Sequence, residues 1–161
     1  MKQLANKVAL AVTAAVALLA GVEGLSTKSY QDTGGVWTLC YGETRGVKQG
    51  QTATKQQCWD MLYSSAVEEY DWVAKQLPGL NANQYAALVS FCYNVGRGNC
   101  AASTLFKHAR SGNYAAAGLQ FGKWKYVTKG KVKLDCVIRS NNCYGIIDRR
   151  KAEATLWSKP L

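Results

Sequence analysis

The sequence predicts an α+β protein in which a small β-hairpin lobe and a larger helical lobe enclose a cleft. Three observations predict it. Residues 29–46, SYQDTGGVWTLCYGETRG, alternate around a Gly-Gly turn. Residues 54–77 keep a helical apolar period until Pro78 stops it. Residues 82–95, ANQYAALVSFCYNV, are apolar enough to be the centre of a core.

Taken in order, the chain begins with Lys2 and Lys7 and then VALAVTAAVALLAGV, residues 8–22, which carry no charge. Fifteen apolar residues fall short of the roughly 20 that span a bilayer as a helix, and six of the fifteen are Ala. The length suits a signal peptide, yet the cleavage site is poor: cutting after Ala20 puts Leu18 where a small residue belongs. The segment reads as a weak, uncleaved signal-anchor, with a cleaved signal or a soluble first helix as the other readings. Either membrane reading exports the rest of the chain, because the lysines hold the N-terminus inside. The expected division is therefore a signal-anchor or signal segment, 1–22, and a catalytic domain, 23–161.

In the hairpin, alternation puts Val36, Thr38 and Cys40 on one face and Trp37, Leu39 and Tyr41 on the other. Thr54 opens the long helix, with Gln57 as its capping-box partner. Shorter helices are expected at about 103–111, 113–126 and 147–157, the second capped by Asn113 and the third started near Asp148. A lysine-rich loop holds Asp135.

Composition narrows the function. Twenty Lys and Arg against ten Asp and Glu give a formal charge of +10, which favours a polyanionic partner. Six cysteines in 161 residues suit disulfides and an oxidising compartment. With one histidine, His108, and no Cys-x-x-Cys, neither a zinc finger nor a His-rich zinc hydrolase fits, and no metal or cofactor is expected. Export and disulfides also argue against a nucleic-acid partner.

Ten acids leave a short list for catalysis. Glu68, Glu69 and Asp71 read as a solvated helix face, and Asp60 and Glu153 as exposed helix residues. Glu23 and Asp32 differ, since one ends an apolar helix and the other sits in a hairpin turn beside glycines. Apolar surroundings favour the protonated form of a carboxyl group and a polar turn its ionised form. Two carboxyl groups in unlike environments are what cleavage of a glycosidic bond requires.

These residues resemble a known family. GVEGLSTKSYQDTGGVWTLCYG looks like the catalytic segment of phage T4-type lysozymes, glycoside hydrolase family 24, with Glu23 nine residues before Asp32 and Asp32 six before Thr38. QYAALVSFCYNVG (84–96), Ser103-Thr104-Leu105, Trp124 and Arg149-Arg150-x-x-Glu153 are similar to the family's later landmarks, so the resemblance covers about residues 21–157. It implies a lysozyme-like fold and a monomeric endolysin that hydrolyses the β-1,4 bond between N-acetylmuramic acid and N-acetylglucosamine in peptidoglycan, causing host cell lysis. In that reading Glu23 protonates the leaving oxygen. Asp32 orients or deprotonates a water or stabilises the transition state, and Thr38 helps place the water in an inverting arrangement. Asn94, Gly96, Ser103 and Thr104 are the implied substrate-binding residues.

The chain departs from the family at Glu43, where many relatives have His, and in an inserted loop, 135–143, closed by Cys136–Cys143. Peptide spacing favours Cys92–Cys100 and Cys40–Cys58 among the fifteen connectivities six cysteines allow. The N-terminus resembles the signal-anchor-release segments of some of these endolysins. That likeness implies tethering to the host inner membrane through residues 8–22, facing the periplasm, and later release into it. Rival readings are a non-catalytic cationic wall-binding module, a peptidase using His108 with a cysteine, and a lytic transglycosylase. The last needs the acid but not the aspartate, so Asp32 in register favours hydrolysis.

Overall fold

The computed structural model describes residues 2–32 and 34–160. The chain runs α1 (Lys2–Val22), β1 (Ser26–Gln31), β2 (Trp37–Cys40), α2 (Lys55–Gln76), α3 (Ala82–Val95), α4 (Arg97–Ala102), α5 (Thr104–Arg110), α6 (Tyr114–Gln120), β3 (Tyr126–Lys129), β4 (Val132–Asp135) and α7 (Gly145–Ser158). The architecture is α+β, as expected: β1 and β2 pair antiparallel in one small sheet and β3 and β4 in another, beside a body of helices.

α3 is the centre of the body because its sequence is apolar nearly all round, and ten of its residues are buried. A helix without a polar face must be covered on every side. α1, α2 and α7 provide the cover. Both long helices start as their sequences dictate. Thr54 and Gln57 form a reciprocal capping box at α2, and Asn81 and Gln84 do the same at α3.

The N-terminal segment packs as part of this body. Ala11, Val12, Ala15, Val16 and Leu19 are each at most 1% exposed and form one stripe along α1. Burying Val12, Val16 and Leu19 is worth roughly 1.5–3 kcal/mol each. Their sum is comparable to the net stability of a whole domain, about 5–15 kcal/mol. The outward face carries Ala9, Thr13, Ala17 and Gly21, small residues that lose little by meeting water.

Three disulfides join Cys40 to Cys58, Cys92 to Cys100 and Cys136 to Cys143, the pairing that spacing favoured. The first ties the end of β2 to α2, fastening the hairpin lobe to the helical one. Closing a loop of that length removes about 3 kcal/mol of unfolded-state entropy.

Several elements differ from the sequence expectation. The helix expected over 113–126 ends at Gln120, passes through a 3-10 turn, Phe121–Lys123, and gives way to β3. The lysine-rich loop around Asp135 is the β3–β4 hairpin, and α4 is an additional short helix. Thr38, Leu39 and Cys40 are all buried, so the two-faced alternation of β2 stops where the disulfide and α2 cover both sides.

Glu69 and Glu153 also depart from the solvated positions expected of them. Glu69 is 8% exposed and pairs with Arg97 at 3.0 Å. Burial outweighs that partner and raises its carboxyl above the ordinary range. Glu153 is wholly buried, accepting from Ser90 at 2.7 Å and from Arg150 at 3.0 Å. Burial pushes it up to about 7 against the pull of Arg150. The pattern RRKAE offers no apolar stripe from which this burial could be read.

This packing has two measurable consequences. Leu19→Ala should cost roughly 2–5 kcal/mol, read as a lower midpoint in chemical denaturation. For Glu153 the folded carboxyl holds a proton that the unfolded one, at 4.5, has already released. Native stability therefore declines as pH rises from 4.5 through about 7. Glu153→Gln should flatten that decline in thermal melts. At about pH 5, where the folded Glu153 carboxyl is itself neutral, the amide should change stability little, because Arg150 faces a neutral partner in both proteins.

Candidate active site

Glu23 sits one residue past α1, its N–H still donating to the Leu19 carbonyl at 2.8 Å. The helix therefore sets where the carboxylate stands. Arg149 of α7, 5% exposed in its side chain, donates to Glu23 Oε1, while the glutamate keeps a quarter of its side chain open. A buried cation on one side and an opening on the other fix the carboxylate without burying it.

Gly42 lies against the same carboxylate. Its backbone is left-handed, φ +85°, and a Cβ there would come 3.5 Å from Glu23 Oε2. The turn after β2 thus needs glycine for its conformation and passes close to the acid.

A cavity lies on either side of this contact. One, of about 330 Å³, is lined by Val22, Glu23, Asn94, Arg149 and the disulfide loop around Cys143. The other, of about 350 Å³, is lined by Gly42, Glu43 and Arg45 of the hairpin lobe and by Ser65, Glu69, Tyr93 and Gly96 of the helical lobe. The second lies between the hairpin and helical lobes, and Gly42 in its lining touches the carboxylate that lines the first; Asp32 and Thr38 line neither.

The second cavity is strongly polar. Glu43 accepts from the Arg45 N–H at 2.9 Å and from the Thr44 N–H at 3.0 Å. Burial raises its carboxyl, but these bonds and the Arg45 guanidinium outweigh burial and hold it below the ordinary range. Arg45 also reaches Glu68 and Ser65, both at 3.2 Å, linking the lobes across this cavity. Tyr93 donates to the Tyr41 carbonyl at 3.3 Å; desolvation, with the charges of Glu43 and Glu23, pushes its phenol up to about 12. It remains a neutral hydrogen-bonding wall.

Asp32 and Thr38 share the hairpin and converge on one residue. Asp32 Oδ1 accepts from Gly34 N at 2.8 Å and Val36 N at 2.9 Å, while Thr38 donates to the Val36 carbonyl at 3.0 Å. A Cβ at Gly34 would stand 3.3 Å from that same Asp32 oxygen, so the turn is closed around it. Asp32 is exposed, whereas Thr38 is 4% exposed and opposes Tyr30 across the strands.

Of the other residues named from sequence, Asn94 lines the Glu23 cavity and accepts from Arg150 at 2.9 Å. Gly96 ends α3 and lines the Glu43 cavity. Ser103 is buried as the N-cap of α5, donating to the Cys100 carbonyl at 2.6 Å and accepting from Phe106 N at 3.1 Å. Thr104 is exposed at the start of that helix. Neither lines the two cavities at Glu23. Sequence reasoning placed no role on Arg149, Gly42 or Glu43. A glycine two residues past an apolar strand was a signal for Gly42, but an arginine in a helix without an apolar stripe gave none.

A part-open carboxyl group lining one cavity, beside a polar cavity between the lobes that holds the Glu43 carboxylate, is an arrangement able to act on an extended polymer. Comparison with known proteins agrees. Residues 20–153 match the family model described as phage lysozyme. The SAR-endolysin of Pseudomonas phage phiKMV is 38% identical over 152 residues, 93% of this chain and 89% of that protein. Among solved structures, the endolysin from Escherichia coli O157:H7 phage FAHEc1 superposes with a TM-score of 0.80 at 25% identity, covering 92% of each chain. The muramidase domain of SpmX from Asticaccaulis excentricus gives the same TM-score and identity over 91% of this chain and 96% of that one. By sequence and by fold, this chain belongs to the phage lysozyme family, the lysozyme-type glycosidases.

Proposed function

We propose that the protein is an endolysin that hydrolyses the β-1,4 bond between N-acetylmuramic acid and N-acetylglucosamine with inversion. The observation that carries this reading is the placement of Glu23, held by Arg149 in the lining of one cavity and against Gly42 of the cavity between the lobes. A glycan strand laid along these cavities would present a glycosidic oxygen to this carboxyl group, which donates the proton. Asp32 faces the oxocarbenium-like transition state or takes the proton of the attacking water, and Thr38 keeps the Val36 peptide, and with it Asp32, in register.

The same reading gives α1 two successive environments. Its candidate span, Gln3–Val22, is 20 residues long with a mean hydropathy of 1.8. At 1.5 Å per residue such a helix reaches across a hydrocarbon core of about 30 Å. In the bilayer it would tether the chain on the periplasmic side of the host inner membrane. On release it packs against α3 and delivers Glu23 to these cavities. The phiKMV relative, named a SAR-endolysin, supports this order of events.

Glu23→Gln should lower digestion of purified peptidoglycan by about 10²–10⁴-fold while binding to walls is retained. Products of the unaltered enzyme should end in a reducing N-acetylmuramic acid, formed first as the α-anomer. An anhydro sugar would assign a transglycosylase instead, and digestion surviving Glu23→Gln would remove the assignment.

A further inference from the structure

The β3–β4 hairpin and residues 137–139 after it line neither cavity at Glu23, although the far end of their loop, at Cys143, does. Lys129, Lys131, Lys133 and Arg139 are all exposed, against one acid, Asp135, which Lys125 already neutralises at 2.9 Å. Among these cations stand exposed aliphatic side chains: Val132 is 58%, Val137 50% and Ile138 53% exposed.

The arrangement is a projecting one. Val127 opposes Leu134 on one face of the hairpin and both are half-buried, while Lys129 and Val132 oppose each other further out, toward the tip, and are exposed. The Cys136–Cys143 disulfide then holds Val137, Ile138 and Arg139 beside the strand ends. Lys133 lies 4.3 Å from the centre of the Tyr126 ring and Arg139 3.4 Å from that of Tyr144, so two of the cations are oriented against rings instead of extending freely.

Lysines on short exposed strands also deter edge-to-edge pairing. That role gives no reason for Val137 and Ile138, which lie beyond the strands and would be costly to expose for no return. A polyanion such as a peptidoglycan stem peptide would use the charges but leave the aliphatic groups in water. A bilayer with anionic headgroups uses both: phosphates meet the lysines, and the aliphatic tips enter the headgroup boundary.

We propose that the β3–β4 hairpin with its disulfide-closed extension is a docking element for an anionic phospholipid surface. It acts in the folded enzyme, independently of whether α1 has ever occupied a membrane and independently of the hydrolytic assignment. After folding, it keeps the enzyme at the face of the bilayer without using α1, whose apolar stripe is then buried against α3.

Flotation of the full chain with vesicles tests this, using phosphatidylglycerol mixed with phosphatidylethanolamine and, separately, phosphatidylcholine alone. Binding is expected to the anionic vesicles only and to weaken as salt shortens the Debye length. Each cation removed should weaken it about five-fold, so the triple change Lys129→Gln, Lys131→Gln and Lys133→Gln should weaken it about 100-fold. A second variant, Val137→Ser with Ile138→Ser, should also bind less well while its charge is unchanged. Thermal melts should show both variants folded as the unaltered chain is, and their digestion of purified walls should be unaltered. Vesicle binding equal to that of the unaltered chain in both variants would overturn the proposal and assign any lipid affinity to α1. Loss of digestion or binding on purified walls in the folded triple variant would assign the cations to the glycan substrate instead, which also overturns it.

Discussion

Glu23 is held from two directions, by the last turn of α1 through its backbone and by the Arg149 guanidinium through its side chain. The first is local to the helix, and the second exists only where α1 lies against α7. The placed carboxylate and the core of the helical lobe are therefore products of one packing event, since the stripe from Ala11 to Leu19 that fills the core ends four residues before the glutamate. A chain in which α1 is elsewhere lacks the core contacts and the placed carboxyl group together. That coupling needs no separate inhibitory segment.

The composition of α1 suits both environments proposed for it. A helix rich in Leu and Ile on all faces would be stable in lipid but would leave a broad apolar surface exposed once packed on the body. α1 instead puts Val12, Val16 and Leu19 on the buried stripe and Ala, Thr and Gly on much of the outer face. Leu4 and Leu10 are the large apolar residues left exposed along it. Its overall hydropathy is enough for a span by length and composition, yet its outer face costs little in water. The three disulfides and the buried Arg150–Glu153–Ser90 network then stiffen what the helix completes.

Much of the fold was legible where the physics is local. The capping box at Thr54, the Asn113 cap, the stop at Pro78 and the Gly-Gly turn of the first hairpin are short-range signals, and each stands where the sequence put it. The positions of Glu23 just past α1 and of Asp32 in the hairpin turn were legible in the same way. What was not legible is nonlocal. Arg149, Glu153 and Glu69 are charged residues whose burial depends on partners up to 126 positions away, as with Arg149 and Glu23. The β3–β4 hairpin was hidden because alternating Lys and Val around Gly130 lacks the apolar face by which a packed strand is recognised. Ser103, named as a substrate contact, spends its hydroxyl on the cap of α5.

In the proposed cycle one helix is both the membrane tether and the core element that carries Glu23, which requires it to persist in the working enzyme. Intact-mass measurement of the soluble, wall-digesting protein recovered from the periplasm tests this most directly. Residues 8–22 should be retained in that species. An active soluble enzyme whose chain begins at residue 18 or later would contradict the claim.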